Sequence, residues 1–230
     1  MKLRIYVIVA ASAIALAAVQ SLAASRAHSK NIIVEPPAAV PALAQAGGEA
    51  MYLHSTGGGR TLLYVETDAG RSLTVLDVSD PSRIRSLKHV PLAAKGPFDF
   101  VEDVGDEGAL IRYRDGSGVA LVDLSHQAAP ALVDEPALEH AGGAETFGRT
   151  GLLLTSDKTL ATSERRPQTY YVMDTEEIAR PSLLATVPAV TQRLTKVDTG
   201  TIFLLNRDGI TVVRRPALEQ AQDENENPHN

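Results

Sequence analysis

An all-β chain of about four similar units, each of four short antiparallel strands, is the fold class the sequence predicts, and three observations predict it. A short text recurs: Thr74-Val75-Leu76-Asp77-Val78-Ser79, Ala120-Leu121-Val122-Asp123-Leu124-Ser125 and Tyr171-Val172-Met173-Asp174-Thr175-Glu176, with a weaker copy at Thr211-Val212-Val213-Arg214. The aspartates stand 46 and 51 residues apart, and Arg214 follows 40 residues after Asp174. An apolar run ending in aspartate precedes each copy, closing at Asp68, Asp115, Asp157 and Asp208. Finally, no stretch after the leader sustains a helical period, whereas short apolar runs alternate with turn residues throughout.

Each unit reads in the same order. An irregular first strand is followed by the apolar second strand; a tight turn (Asp68-Ala69-Gly70, Asp115-Gly116, Asp208-Gly209) leads into the third, which carries the recurring text. Asp-Gly between apolar runs marks a hairpin, because the turn needs a positive φ that glycine adopts without steric cost. A connection with Pro130 or Pro181 seven residues past the aspartate then leads to a fourth strand, marked ten residues past it by Leu87, Val133 and Leu184. A repeat of this length with four strands matches one blade of a β-propeller. The expected units are 49–95, 96–138, 139–190 and 191–218, together a small propeller of about four four-stranded blades. Val75-Leu76-Asp77-Val78-Ser79-Asp80-Pro81, with its two later copies, resembles the LVIVD-repeat type of propeller, whose blades look like V-x-D-V-S-D-P-x-x-P-x-x-V. The resemblance covers about Met51 to Pro216 and implies an exported or surface protein that binds other molecules; it carries over no catalytic residue. The fourth copy departs from the pattern, with Arg214 in place of aspartate and no fourth strand after it. An unpaired edge invites aggregation, so the strand-like Asn31-Ile32-Ile33-Val34-Glu35 is expected to close the ring by pairing with Ile210–Val213; the rival is an incomplete ring that finishes by dimerising.

The flanks are of a different character. Met1–Ser25 has two cations, an apolar run from Ile5 to Val19 and the small residues Ser21 and Ala23, the three-part pattern of a secretory signal peptide occupying residues 1–23. Export to the periplasm or the cell surface follows as the expectation. Residues 24–48 are a Pro/Ala-rich linker, because Pro36, Pro37 and Pro41 forbid a continuous helix. Residues 219–230, acidic and without a large apolar side chain, are expected to be disordered. The net charge of −6 becomes −8 once Lys2 and Arg4 leave with the leader, which argues against a nucleic-acid partner. Zero cysteines exclude disulfides and thiolate chemistry.

Chemistry is sparse. Neither G-x-S-x-G, H-E-x-x-H nor G-x-G-x-x-G occurs, and no cofactor is expected. The turn aspartates Asp68, Asp115, Asp157 and Asp208 could form a calcium-binding ring, but each is better read as capping its own turn. Asp77, Asp123 and Asp174 are read as fixing the strand exits. His54 and His140, in the first strands of units one and three, could meet with Glu145 or Asp103 as a hydrolytic metal site; their unequal offsets from Asp68 and Asp157 speak against equal depth. The preferred contact surface is the longest insertion, residues 158–168, where Arg165 and Arg166 join Tyr170 and Tyr171, types enriched at binding hot spots. The reading is an exported, non-catalytic binding or scaffolding module whose partner is another protein or an envelope component; the alternative is a metal-dependent hydrolase or lyase with its site in the propeller channel.

Overall fold

The computed structural model describes residues 27–28, 32–156 and 167–226. The chain divides into two compact units, residues 1–39 and 40–230. In the first, β1 (Ala27–His28) pairs antiparallel with β2 (Ile33–Val34), Ala27 opposite Val34, and a single 3₁₀ turn follows at Pro37–Ala39. The leader Met1–Ser25 lies outside the described residues.

The second unit is all-β with antiparallel sheets. Three four-stranded meanders follow in chain order: β3 (Ala50–Ser55), β4 (Thr61–Thr67), β5 (Ser72–Asp77) and β6 (Arg85–Pro91); β7 (Phe98–Val104), β8 (Gly108–Tyr113), β9 (Val119–Asp123) and β10 (Ala131–Leu132); β11 (Gly143–Thr146), β12 (Gly151–Thr155), β13 (Gln168–Asp174) and β14 (Ser182–Val190). A fourth sheet has three strands, β15 (Gln192–Lys196), β16 (Thr201–Asn206) and β17 (Gly209–Val213). Each sheet coincides with one sequence repeat. The hairpin turns fall where the sequence placed them: Asp68, Ala69 and Gly70 take φ of 54°, 56° and 87°, and Gly116 and Gly209 take 72° and 127°.

Strand alternation puts each repeat's apolar residues on two faces, and both faces are used. Residues two and four before the repeat aspartate face the next sheet: Val75 and Leu73, Leu121 and Val119, Val172 and Tyr170. Residues one and three before it face the preceding sheet: Val122 and Ala120, Met173 and Tyr171. The second strands obey the same rule, with Leu62 and Tyr64, Leu110, and Leu153 forward and Ala109 and Ile111, Leu152 and Leu154, and Ile202 and Leu204 backward. Three cores result, one between each successive pair of sheets. None of them contains residues of both the first and the fourth sheet.

The aspartates of the repeat do what a turn requires. Asp77 Oδ1 accepts from the Ser79 backbone N–H at 3.0 Å, Asp123 from Ser125 at 2.8 Å and Asp174 from Glu176 at 2.9 Å. Asp115 likewise accepts from the Ser117 N–H at 2.8 Å. At Asp208 the roles are reversed, its N–H donating to Asn206 at 3.0 Å.

The expected closing strand lies in the first unit, where Ile33–Val34 takes Ala27–His28 as its partner. Among the described residues β17 pairs with β16 alone. The tail expected to be disordered from residue 219 instead begins as a helix, α2 (Pro216–Glu226). Proline suits a first helical position, Ala, Leu, Glu and Gln propagate the helix well, and Glu219 accepts from Arg214 Nε at 3.1 Å. Within the segment read as linker, Ala42–Gln45 forms a 3₁₀ turn against β5 and β6.

Candidate functional site

The residues singled out from sequence do not converge. Arg165, Arg166 and Asp157 lie outside the described residues. Tyr170 and Tyr171 occupy successive positions of β13 and so point to opposite faces: Tyr170 is buried in the core between the third and fourth sheets, and Tyr171 packs against the core between the second and third. Burial pushes the Tyr170 hydroxyl up from its ordinary pKa. Both rings therefore serve packing instead of an exposed contact surface, because β13 is the third strand of a sheet covered on both sides.

The histidines and carboxylates of the metal reading are also engaged separately. His54 is buried and stacks on Tyr52 at 6.1 Å; desolvation holds its pKa below the usual imidazole value, against the pull of Asp106 and Glu107. His140 is exposed at the C-terminus of the one-turn helix α1 (Pro136–Glu139). Glu145 clasps the Arg193 guanidinium through both oxygens, one contact at 2.7 Å, and Asp103 takes the Tyr52 hydroxyl. No three His, Asp or Glu side chains gather among the described residues in a way that would hold a metal ion.

A site that the sequence reading missed lies where the third sheet meets the end of the fourth. Arg215, two residues past the end of β17, is half-buried. Its guanidinium passes between the turn β11–β12 at Gly148 and the turn β15–β16 at Gly200, two glycines with φ of 78° and 63°. A Cβ at Gly200 would stand 2.9 Å from Arg215 Nη1, and one at Gly148 would displace Nη2, so a side chain at either turn moves the guanidinium, while the positive φ itself favours glycine. Neighbouring cations are already matched: Arg149 pairs with Asp106, and Arg214 with Glu219. Charge-assisted bonds from Arg214 hold the Glu219 carboxyl below the usual range. Arg215 has no carboxylate partner among the described residues. It lines a cleft of about 470 Å³ with Arg149, Arg214, Phe147, Met173 and Leu184, and with Asp174, whose carboxylate accepts from the Glu176 N–H at 2.9 Å. A planar five-donor head above an apolar floor suits an anion carried on an apolar stem. The sequence signal nearest to it is Arg214, which stands in place of the repeat aspartate, with Arg215 and Pro216 following.

No protein-family model matches the chain, and no curated protein matches it. Among solved structures it is similar to one described as the crystal structure of the eukaryotic initiation factor, with 11% identity and a TM-score of 0.40, over 72% of this chain and 43% of that one. The chain thus spans less than half the length of that structure, and the likeness is too slight to bear on fold or function.

Proposed function

We propose that the protein is an exported, non-catalytic binding module of the cell envelope, built as a β-propeller of the LVIVD-repeat kind, whose ligand is an envelope component presenting an anion on an apolar stem. The propeller reading is supported by the repeated four-strand meander and by links between successive first strands: Tyr52 to Asp103, Glu102 to Thr146 at 3.1 Å and Glu145 to Arg193 at 2.7 Å. Export rests on the leader pattern.

The observation that carries the ligand is Arg215, a half-buried guanidinium with no carboxylate partner among the described residues, lining a mostly apolar cleft. A buried cation left unmatched is costly, and an incoming carboxylate or phosphate relieves that cost through two parallel N–H···O bonds. Calorimetry with decanoate, decyl phosphate and decyltrimethylammonium tests it. The anionic amphiphiles bind and the cationic one does not, and Arg215→Gln weakens binding tenfold or more while leaving the melting temperature within a few degrees. Equal binding of anionic and cationic amphiphiles, or an unaffected Arg215→Gln variant, defeats the proposal.

A further inference from the structure

The register rule that builds the three cores also describes two faces to which no core belongs. On the fourth sheet the forward-facing positions are Ile210 and Val212 on β17, four and two residues before Arg214, with Phe203 and Leu205 on β16 and Leu194 on β15; α2 flanks one end of this face, where Glu219 accepts from the Thr201 hydroxyl at 3.3 Å. Their counterparts in the other sheets are the buried pairs Leu73 and Val75, Val119 and Leu121, and Tyr170 and Val172. Here Ile210, Val212 and Leu194 are 66%, 45% and 61% exposed. On the first sheet the backward-facing positions Met51 and Leu53 of β3 are 71% and 60% exposed, and Leu63 and Val65 beside them are only half-buried. Solvation of so many register-matched apolar residues is unfavourable by about 25 cal/mol for each Å² of apolar surface, and patches of this kind mark interfaces.

The inner links sharpen the point. The forward link in each first strand comes from one register position, opposite the same residue of the second strand: Tyr52 opposite Tyr64, Glu102 opposite Leu110, Glu145 opposite Leu153. In the fourth sheet that position, opposite Phe203, is Leu194. The receiving position in the second sheet is Asp103, opposite Ala109; in the first sheet the same position, opposite Leu63, is Leu53. The two free ends thus carry leucine where the internal junctions carry a polar donor and acceptor. A polar group at either end alone would mismatch; two leucines match each other.

We infer that a second copy of this chain continues the stack, the fourth sheet of each copy packing on the first sheet of the other, so that two copies close one ring of eight sheets. A head-to-tail contact closes into a ring when its rotation allows and otherwise grows as a filament, and eight is within the usual range of propeller blades. The turn Ala42–Gln45 lies against β5 and β6 of the first sheet, so the contact falls on β3 and β4. It is independent of the Arg215 cleft and stands or falls separately.

Sedimentation equilibrium of the purified protein gives a mass twice that of the chain. Leu53→Arg and Leu194→Glu each weaken association tenfold or more, since each places a charge in both junctions of the pair. Mixed together the two variants pair again: one junction then holds opposite charges and the other keeps its two leucines. Because the chain has no cysteine, a Leu53→Cys/Leu194→Cys double variant oxidises to a covalent dimer if the faces meet, a readout that does not depend on the charged variants folding. A monomer at every concentration, larger polymers, a dimer indifferent to both charged substitutions, or failure of the mixture to pair each overturns the inference.

Discussion

Glu66 shows how one side chain can set the pH response of the chain. Its carboxylate is buried, with Arg114 Nη2 at 3.7 Å and Arg114 further engaged by Glu49 and Asp99. Desolvation raises its pKa above the ordinary value, Arg114 opposing and Glu49 adding to the rise. A carboxyl that binds its proton more tightly when folded destabilises the protein as pH climbs past the ordinary value of 4.5. Glu66→Gln is therefore expected to melt higher than the parent at pH 7 to 8, with the difference shrinking towards pH 4, as thermal melts across that range would show. Asp77 works in the opposite sense. The Ser79 hydroxyl and N–H, with Arg60 behind them, hold its pKa down to about 2. Its contribution is complete above the ordinary 3.8 and is lost as pH falls towards 2. Asp77→Ala should cost about 1–2 kcal/mol at neutral pH and flatten the acid limb of a stability-versus-pH curve.

Within a single element, the left-handed turn at Asp68–Gly70 and the strand alternation invite different substitutions. Ala69 holds φ 56° with a Cβ that the left-handed region disfavours by about 1–2 kcal/mol. Ala69→Gly is expected to raise the melting temperature by about 2–4 °C for each kcal/mol relieved, measured by calorimetry. Leu153 on β12 is fully buried in the core between the third and fourth sheets, and Leu153→Ala should cost about 2–5 kcal/mol in denaturant unfolding. The sequence made these strands legible because every repeat carries its own turn and its own alternation. It hides α2, where low apolar content points to disorder, whereas helix propensity and the Arg214–Glu219 pair favour a helix over Pro216–Glu226.

For the molecule as a whole, each core joins only neighbouring sheets, so damage should stay local. Stability in such a stack is close to a sum of unit terms and nearest-neighbour interfaces. Leu204→Ala, in the core between the third and fourth sheets, is expected to speed amide hydrogen exchange in β15–β17 and β12–β14 well before β3–β6; uniform acceleration across all sheets would contradict this picture. The same neighbour-only logic leaves the outer faces of the first and fourth sheets apolar, and those faces carry the proposed pairing of two copies.

Strand order, turn positions and the two-faced pattern were determined by the sequence alone, because hairpin chemistry and alternation are local properties copied in each repeat. The capping role of Asp77, Asp123 and Asp174 was legible for the same reason. What Tyr170, Tyr171, His54 and Glu145 do was decided only by the tertiary structure: whether a ring or carboxylate is a contact surface or a packing element depends on what covers it, and the covering sheet lies far along the chain. Arg215 became visible as a site only once two glycine turns from different sheets were brought around it, a juxtaposition that no spacing in the sequence encodes.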